Sequence, residues 1–299
     1  MRILFENVNF SSRSGPNGFG LKLARQLTEV GNEIVSQDPD VCLAFIQSLN
    51  RFNPTVLRLD GIYFNSAQKW EEMNAPIRQS YEKSQSIVVQ SNFNRDLIFN
   101  FFGKRENVHV ISNGTDFDLI SKIEKSKQIS RIPREKVWMC ASSWRPHKRL
   151  QENIRLFQEK AEEDHILLIA GENVDDFIKE IKDDRIKILG NLTWEQMISC
   201  LKCTGNFIHL AWLDHCPNVV VDAKACGCTL HISNSGGTPE LIGPTDFLYE
   251  DCMFDFSPVE LYNPPRMTLK SIENNSLKNV DLSIKAVAQR YYDVLRSTK

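Results

Sequence analysis

The sequence has no apolar segment long enough to cross a membrane. Its longest apolar runs, such as residues 166–170, are far shorter than the roughly 20 residues that a membrane-spanning helix needs. Residues 2–5 enter a strand-like run directly, with no apolar stretch that would form a secretory signal. We therefore expect a soluble cytosolic protein, with peripheral membrane contact through basic residues left open.

The chain also lacks an excess of charge of either sign. Its formal net charge is -2 and its sequence pI is about 6.3, which argues against binding to bulk DNA or RNA but not against a local basic site for a phosphate. With 299 residues, 41% of them hydrophobic and 25% charged, the chain has the composition of two globular domains of ordinary size.

Cysteine is the one residue type that suggests a metal. Cys200 and Cys203, together with Cys226 and Cys228, have spacings that would permit a zinc site with His209 or His215 nearby. The surroundings of the first pair are helical, however, and we favour reduced, buried thiols. We predict no metal site.

Short apolar runs alternate with helical patterns along the whole chain. The predicted strands are residues 2–8, 33–36, 41–46, 55–60, 86–91, 108–112, 137–142, 166–171, 185–190, 207–212 and 229–233. The predicted helices are residues 19–30, 66–83, 92–102, 150–163, 174–182, 194–202, 218–226 and 282–297. This alternation predicts an α/β protein with two Rossmann-like, doubly wound sheets. We place the first domain at residues 1–118, a charged linker at 119–136 and the second domain at 137–281, with the last helix packing on either domain.

Residues 207–240 form the most informative segment. An apolar strand, a loop that begins at Asp214, an apolar helix, a second strand and a turn containing Gly236 and Gly237 follow one another. Both loops of such a βαβ unit fall at one edge of the sheet, which is where ligands bind in folds of this class.

Two loops of the first domain are candidates for ligand contact. In residues 9–20, Gly15 and Gly18 allow close approach of a phosphate at a helix N-terminus, although the G-x-G-x-x-G spacing is absent and any such turn needs glycine. Asp60 ends a predicted strand and is suited to hold a sugar hydroxyl or accept a proton. An aspartate before a glycine is equally typical of a simple turn.

Residues 142–149 form the most basic short loop. Arg145, Lys148 and Arg149 follow a strand and precede a helix, a position that suits a diphosphate. The alternative is a solvated run of surface charge.

Asp222 is the most informative single residue. It lies on a helix that is apolar nearly all round, so its carboxylate needs a hydrogen-bonding partner or a ligand, and ribose hydroxyls would serve. Asp214 precedes the same helix, where a negative charge is also favoured by the helix dipole alone.

These motifs resemble the second domain of the retaining GT-B glycosyltransferases of family 4, whose signature is two acids separated by seven residues. Here the acids are Asp214 and Asp222, where the family usually has glutamate, followed by residues 223–227 and 235–240. Residues 88–93 and 110–116 are similar to the family's last elements of the first domain, and residues 141–148 to its donor-phosphate loop. The family's usual arginine falls on Ser143, so Arg145 or Arg149 would replace it.

The resemblance implies a role for each of these residues toward a UDP- or GDP-sugar donor. Asp222 would bind the ribose. Asp214 and the backbone around Asn218 and Val219 would bind the sugar and phosphate. Arg145 and Lys148, with Arg149 as the substitute, would bind the diphosphate. Gly236 and Gly237 lie in the second loop of the same edge, and Gly15 and Gly18 would close over the phosphates or the acceptor.

The expected function is metal-independent transfer of a sugar, with retention of configuration, to a glycan, lipid-linked or protein acceptor held by the first domain. Two alternatives stay open. A nucleotide-sugar epimerase on the same fold would need an acid and base pair that the first domain's loops do not offer. A non-catalytic sugar-nucleotide-binding protein would not need a diphosphate clamp.

Overall fold

The computed structural model describes residues 1–12, 15–49, 53–174, 182–277 and 279–299. Its first half builds a six-stranded parallel sheet in the order β2-β1-β3-β4-β5-β6. The strands are β1 (Arg2–Glu6), β2 (Glu33–Ile34), β3 (Val41–Phe45), β4 (Thr55–Leu59), β5 (Ser86–Val89) and β6 (Val108–Val110). Strands β3, β4 and β5 are buried along their whole length, which is why they read as unbroken apolar runs.

Helices cover both faces of this first sheet. On one face α1 (Gly15–Glu29) packs beside the last helix of the chain, α8 (Ile284–Thr298), in a cluster that contains Leu23 and Tyr291. On the other face lie α2 (Trp70–Lys83) and α3 (Asn92–Phe102). The last helix therefore packs on the first sheet.

The second half builds a seven-stranded sheet in the order β13-β12-β11-β10-β7-β8-β9. Its strands are β7 (Val137–Ala141), β8 (Ile166–Ala170), β9 (Ile186–Gly190), β10 (Asn206–His209), β11 (Thr229–Ser233), β12 (Phe247–Tyr249) and β13 (Ser271–Ile272). All pairs are parallel except β12 with β13.

Four described helices accompany the second sheet: α4 (Phe117–Lys122), α5 (Leu150–Lys160), α6 (Trp194–Leu201) and α7 (Asn218–Ala225). Helices α6 and α7 pack on one face and α5 on the other. Most of the helix predicted at residues 174–182 lies outside the described residues. The predicted linker contains the last four residues of α4 and two short 3-10 turns, at Ile129–Arg131 and Arg134–Lys136.

Residues 254–261, which we call the strap, cross from the second half of the chain back to the first. Phe254, Phe256 and Val259 pack against the core beneath α2 and α3. The amide of Val259 donates to the carbonyl of Phe64 (3.0 Å), and its carbonyl accepts from Ser66 (2.9 Å). The two sheets are thus joined by more than the linker.

No helix among the described residues is long and apolar enough to cross a membrane. The cysteines are unpaired thiols. Within the described ranges, the one group of three or more side chains with metal-ligand atoms close together is Glu162, Asp164 and His165. The thiols of Cys200, Cys203, Cys226 and Cys228 do not form such a group.

Candidate functional site

The candidate site lies where the carboxyl ends of the second sheet's strands face the first domain. The loops after β7, β10 and β11 meet there because parallel strands end at one edge. Contacts from α1 and from the loop after β6 reach the N-terminus of α7 from the other side. The site is therefore built by both halves of the chain.

Asp214 is the centre of a partly buried charged cluster. Its Oδ2 accepts from the Lys148 ammonium and lies 3.0 Å from Nε2 of His209, and its Oδ1 accepts from the amide of His215 (3.0 Å). Burial raises the pKa of Asp214, but Lys148 and His209 outweigh it and hold that pKa well below its usual range. Burial lowers the pKa of His209, so a neutral imidazole donating from Nε2 fits this geometry. Asp214 is thus an anion that fixes the position of Lys148.

Asp222 has the partners that its apolar helix requires. Its Oδ2 accepts from the Trp194 indole (3.0 Å), and its Oδ1 lies 3.6 Å from the Lys22 ammonium of α1. Oδ1 is buried and has no hydrogen-bond partner among the described residues. The carboxylate therefore keeps one acceptor atom for a further donor.

The N-terminus of α7 is uncapped toward the first domain. Pro217 offers no side-chain cap, and the amides of Asn218 and Val219 donate no hydrogen bond within the described part of the chain. The Asn218 side chain donates to the carbonyl of Gly15 (3.1 Å) and accepts from the Asn113 side chain (2.9 Å). Free first-turn amides beside Lys148 and Asp214 form a position suited to an anionic group.

Gly236 and Gly237 shape the loop that carries Asp214. A β-carbon at Gly236, whose φ is +68°, would lie 2.3 Å from the carbonyl oxygen of Asp214. At Gly237 it would lie 2.1 Å from the carbonyl oxygen of His215 and 2.3 Å from Oγ of Ser91. These close approaches explain why both positions are glycine, independently of any ligand.

The prediction of Arg149 as a phosphate ligand needs correction. Its guanidinium is 1% exposed and is held by both oxygens of Asp251 (2.6 and 3.1 Å) and by the carbonyl of Pro265 (2.7 Å). These partners occupy both terminal nitrogens of the guanidinium, so they are not available to a phosphate. Arg145, by contrast, is exposed and makes no side-chain hydrogen bond or ion pair with a described residue.

The prediction that Gly18 lies in a loop is also wrong. Helix α1 begins at Gly15, so Gly18 is a residue of its first turns. Pro16 explains the early start, because proline is well suited to the first turn of a helix. Gly15 itself stands at the interface and contacts Asn218 through its carbonyl.

Asp60 lies at the end of β4, as its sequence position predicts. It forms an ion pair with the fully buried Arg58 and accepts from the Gln90 side chain, while its buried Oδ2 has no partner among the described residues. Burial raises the pKa of Asp60, and Arg58 opposes this shift. The neighbouring Gly61 lies directly against the His215 ring, so Asp60 sits at the boundary with the second domain.

Sequence reasoning missed Lys22, Asn113, Trp194 and His209. Lys22 lies in a helix and Asn113 in a turn of the first domain, and their partners are distant in sequence. The sequence indicates His209 only as a possible zinc ligand. Trp194 carried the one available signal, a bulky donor at the start of a predicted helix on the ligand-binding edge.

Comparison with known proteins agrees with this architecture. Residues 121–253 match the model of the family Glycosyl transferases group 1. The match runs from α4 to just beyond β12 and includes Lys148, Asp214 and Asp222. No curated protein matches the sequence significantly.

Solved structures extend the likeness to the whole chain. HepE of Anabaena in complex with UDP has 15% identity and a TM-score of 0.69, over 99% of this chain and 100% of that one. Sucrose-phosphate synthase from Thermosynechococcus elongatus has 13% identity and a TM-score of 0.71, over 99% and 98%. A glycosyltransferase from Rickettsia africae has 13% identity and a TM-score of 0.65, over 99% and 98%. The predicted GT-B fold, with two Rossmann-like domains, is confirmed.

Proposed function

We propose that this protein transfers a sugar from a nucleoside-diphosphate sugar to an acceptor hydroxyl, with retention of configuration and without a metal ion. The observation that carries the proposal is the partly buried Lys148–Asp214–His209 cluster beside the uncapped N-terminus of α7, with Asp222 further along the same helix. The related HepE structures contain UDP and UDP-glucose, which favours a UDP-sugar over a GDP-sugar as the donor.

In this proposal different residues of the site bind the ribose, the diphosphate and the sugar of the donor. The Oδ1 of Asp222, which lies 3.6 Å from Lys22 and has no hydrogen-bond partner among the described residues, accepts a ribose hydroxyl. Lys148, the exposed Arg145 and the amides of Asn218 and Val219 hold the diphosphate. Asp214 keeps Lys148 in place and faces the sugar. The first domain, with Gly15 and Asp60 at the interface, holds the acceptor.

The chemical step follows from where charge develops. The bond between the anomeric carbon and the phosphate oxygen breaks, and a bond from that carbon to the acceptor oxygen forms. Negative charge builds on the leaving diphosphate, so cations and helix amides placed there stabilise the transition state more than the ground state. The acceptor's proton passes to the leaving phosphate, which makes a separate strong base unnecessary.

Incubation with a panel of nucleotide sugars, with and without candidate acceptors, tests the proposal. We expect acceptor-dependent release of nucleoside diphosphate, fastest with a UDP-sugar, and an anomeric NMR signal of retained configuration in the product. Interconversion of donor sugars would instead establish an epimerase. Binding without turnover would establish a non-catalytic protein.

Asp222→Asn tests the ribose contact. The amide oxygen can still accept from Trp194, but the charge is lost, so nucleotide affinity should fall by about tenfold or more, the usual cost of a charge-assisted hydrogen bond. Calorimetric titration with UDP measures it, and Asp118→Asn, an exposed acid paired with Lys285, is the control. Unchanged binding with lost turnover would overturn the ribose role.

A further inference from the structure

Lys22 of the first domain reaches the carboxylate of the second domain to which we assign the donor ribose. Its Nζ lies 3.6 Å from Oδ1 of Asp222 and 5.0 Å from the centroid of the Trp194 ring, and it donates to Oγ1 of Thr115 (3.3 Å). Lys22 belongs to α1, whereas Asp222 and Trp194 belong to α7 and α6. The ammonium therefore crosses the boundary between the domains.

The two oxygens of the Asp222 carboxylate are held differently. Oδ2 accepts from the Trp194 indole at 3.0 Å, within the second domain. Oδ1 is enclosed and has no hydrogen-bond partner among the described residues, because the Lys22 ammonium at 3.6 Å is beyond hydrogen-bonding distance. A buried acceptor without a hydrogen bond is costly. Lys22 thus neutralises the carboxylate but does not satisfy its Oδ1.

A ribose hydroxyl cannot reach Oδ1 in this arrangement unless Lys22 moves. A hydroxyl that donates to a carboxylate brings the two oxygens to about 2.7 Å, yet Oδ1 is enclosed. The ammonium is free to leave, because the Lys22 side chain is 20% exposed and has a flexible four-carbon stem. The Trp194 indole, by contrast, is fixed by its hydrogen bond to Oδ2.

We propose that Lys22 is a built-in competitor of the donor: its ammonium pairs with Asp222 until the ribose of the nucleotide displaces it. This inference rests on the ribose role that the proposed function gives to Asp222. Displacement removes one contact between α1 and α7, whereas the hydrogen bond from the Asn218 side chain to the Gly15 carbonyl (3.1 Å) does not involve the carboxylate. Donor binding therefore costs the protein one ion pair between its domains.

Calorimetric titration of the full chain with UDP tests the proposal on Lys22→Met, which keeps the length of the side chain but not its charge. We expect UDP to bind about three- to fivefold more tightly to this variant, as when one partly exposed ion pair no longer competes. Loss of a cation near the site would by itself weaken the binding of an anion. Simple attraction between Lys22 and the phosphates therefore cannot produce a tighter complex.

Three comparisons separate competition from a general effect of charge. Lys22→Arg keeps a competing cation and should not tighten UDP binding. Arg25→Gln removes an exposed cation from the same helix and should leave UDP binding unchanged. Inorganic diphosphate has no ribose, so it should bind to Lys22→Met no more tightly than to the wild type.

Asp222→Asn shows whether the effect acts through the carboxylate. Two residues in contact are expected to have coupled effects on binding. Lys22→Met should therefore tighten UDP binding in the wild-type background but change it by less than about twofold when Asp222→Asn is already present.

Unchanged or weaker UDP binding in Lys22→Met, equal tightening in both backgrounds, or tightening that extends to inorganic diphosphate would each overturn the proposal. Unchanged binding in Lys22→Met with weaker binding in Asp222→Asn would leave the ribose contact standing. UDP binding that Asp222→Asn does not alter would overturn the ribose contact itself. Tighter binding in Lys22→Met without acceptor-dependent release of nucleoside diphosphate would support the role of Lys22 and contradict the proposed transfer.

Discussion

Arg149 shows how a single residue can be placed by an ion pair instead of by a ligand. Its backbone is left-handed, with φ at +51°, a conformation that costs free energy for a residue with a β-carbon. The bidentate contact with Asp251 and the bond to Pro265 hold it there. The ion pair therefore fixes the turn between the basic loop, residues 142–149, and α5.

Asp251→Ala should destabilise the protein strongly. Removing one partner of a buried pair leaves the other charge uncompensated, at a cost of about 3–5 kcal/mol. Urea unfolding at pH 7 measures the loss. The control Asp118→Ala breaks an exposed pair with Lys285 and should cost less than about 1 kcal/mol. Equal effects of the two substitutions would contradict the role given to the buried pair.

His231 makes stability depend on pH. Burial lowers its pKa to about 3, and its ring nitrogens lie 3.0 Å from the Tyr249 hydroxyl and 3.0 Å from the Asn206 side-chain oxygen. Below its ordinary pKa of about 6.5, the unfolded chain binds a proton that the folded chain does not. The free energy of unfolding should therefore fall as the pH drops from 6.5 toward 3, by about 1.4 kcal/mol per unit for this group.

In the variant His231→Gln the free energy of unfolding should depend less on pH below 6.5. The slope should fall by the contribution of one proton, about 1.4 kcal/mol per pH unit, whatever the effect of the substitution at neutral pH. Chemical unfolding at several pH values between 7 and 4 gives the slope for both proteins. His165→Gln, which changes a half-buried histidine on a loop, serves as the comparison. An unaltered slope in His231→Gln would show that this ring titrates normally in the folded state.

At the scale of elements, residues of both domains cap the N-terminus of helix α3. The carboxylate of Glu240 accepts from the amides of Asn92 (2.8 Å) and Phe93 (2.9 Å) at the start of α3. Ser91 provides the ordinary cap by accepting from Asn94 (3.1 Å). A carboxylate from the second domain therefore complements the dipole of a first-domain helix.

Glu240→Ala should expose the amides of Asn92 and Phe93 to exchange and lower stability by about 1 kcal/mol, the usual value of a cap. Hydrogen exchange followed by NMR measures both. Ser91→Ala is the matched control, because it removes a cap from the same helix and leaves the Glu240 carboxylate in place. If only the Ser91 variant speeds exchange, the contact from Glu240 does not hold the domains together in solution.

The sequence predicts strands and helices better than it predicts side-chain contacts. An apolar run is a local pattern, whereas the two partners of an ion pair can be far apart in the sequence. Strands such as β3 and β4 are buried on both faces, so their composition identifies them. Strands β12 and β13 were missed because they are very short and Phe247 is exposed. The need of Asp222 for a partner was readable from its apolar helix. The sequence could not show that Lys22 is the partner of Asp222 or that Asp251 pairs with Arg149, because the two members of each pair are far apart in the chain.

At the scale of the whole molecule, α8 completes the first domain. The Tyr291 hydroxyl accepts from Nε of the fully buried Arg58 (2.9 Å), which also donates to Asn113 (2.8 Å) and pairs with Asp60. The residues of this cluster come from β4, from the interface and from the end of the chain. The cluster thus connects the last helix to the candidate acceptor side.

Tyr291→Phe should cost about 1–3 kcal/mol, because Arg58 Nε loses its acceptor in a buried position. Thermal or urea unfolding measures the change. Tyr292→Phe alters the adjacent, half-buried tyrosine and should change stability by less than about 0.5 kcal/mol. Similar small effects of both substitutions would mean that water replaces the lost hydroxyl.

The return of α8 to the first sheet has a consequence for synthesis on the ribosome. Leu23 and the rest of the face that α8 covers are translated early, whereas Ile284–Thr298 emerges after the entire second sheet. Until then that apolar face and the Arg58 guanidinium lack their native cover. Synthesis of the first domain therefore begins first, but the domain is completed only when α8 has been made. Nascent chains that end before α8 expose an apolar surface to chaperones and to one another.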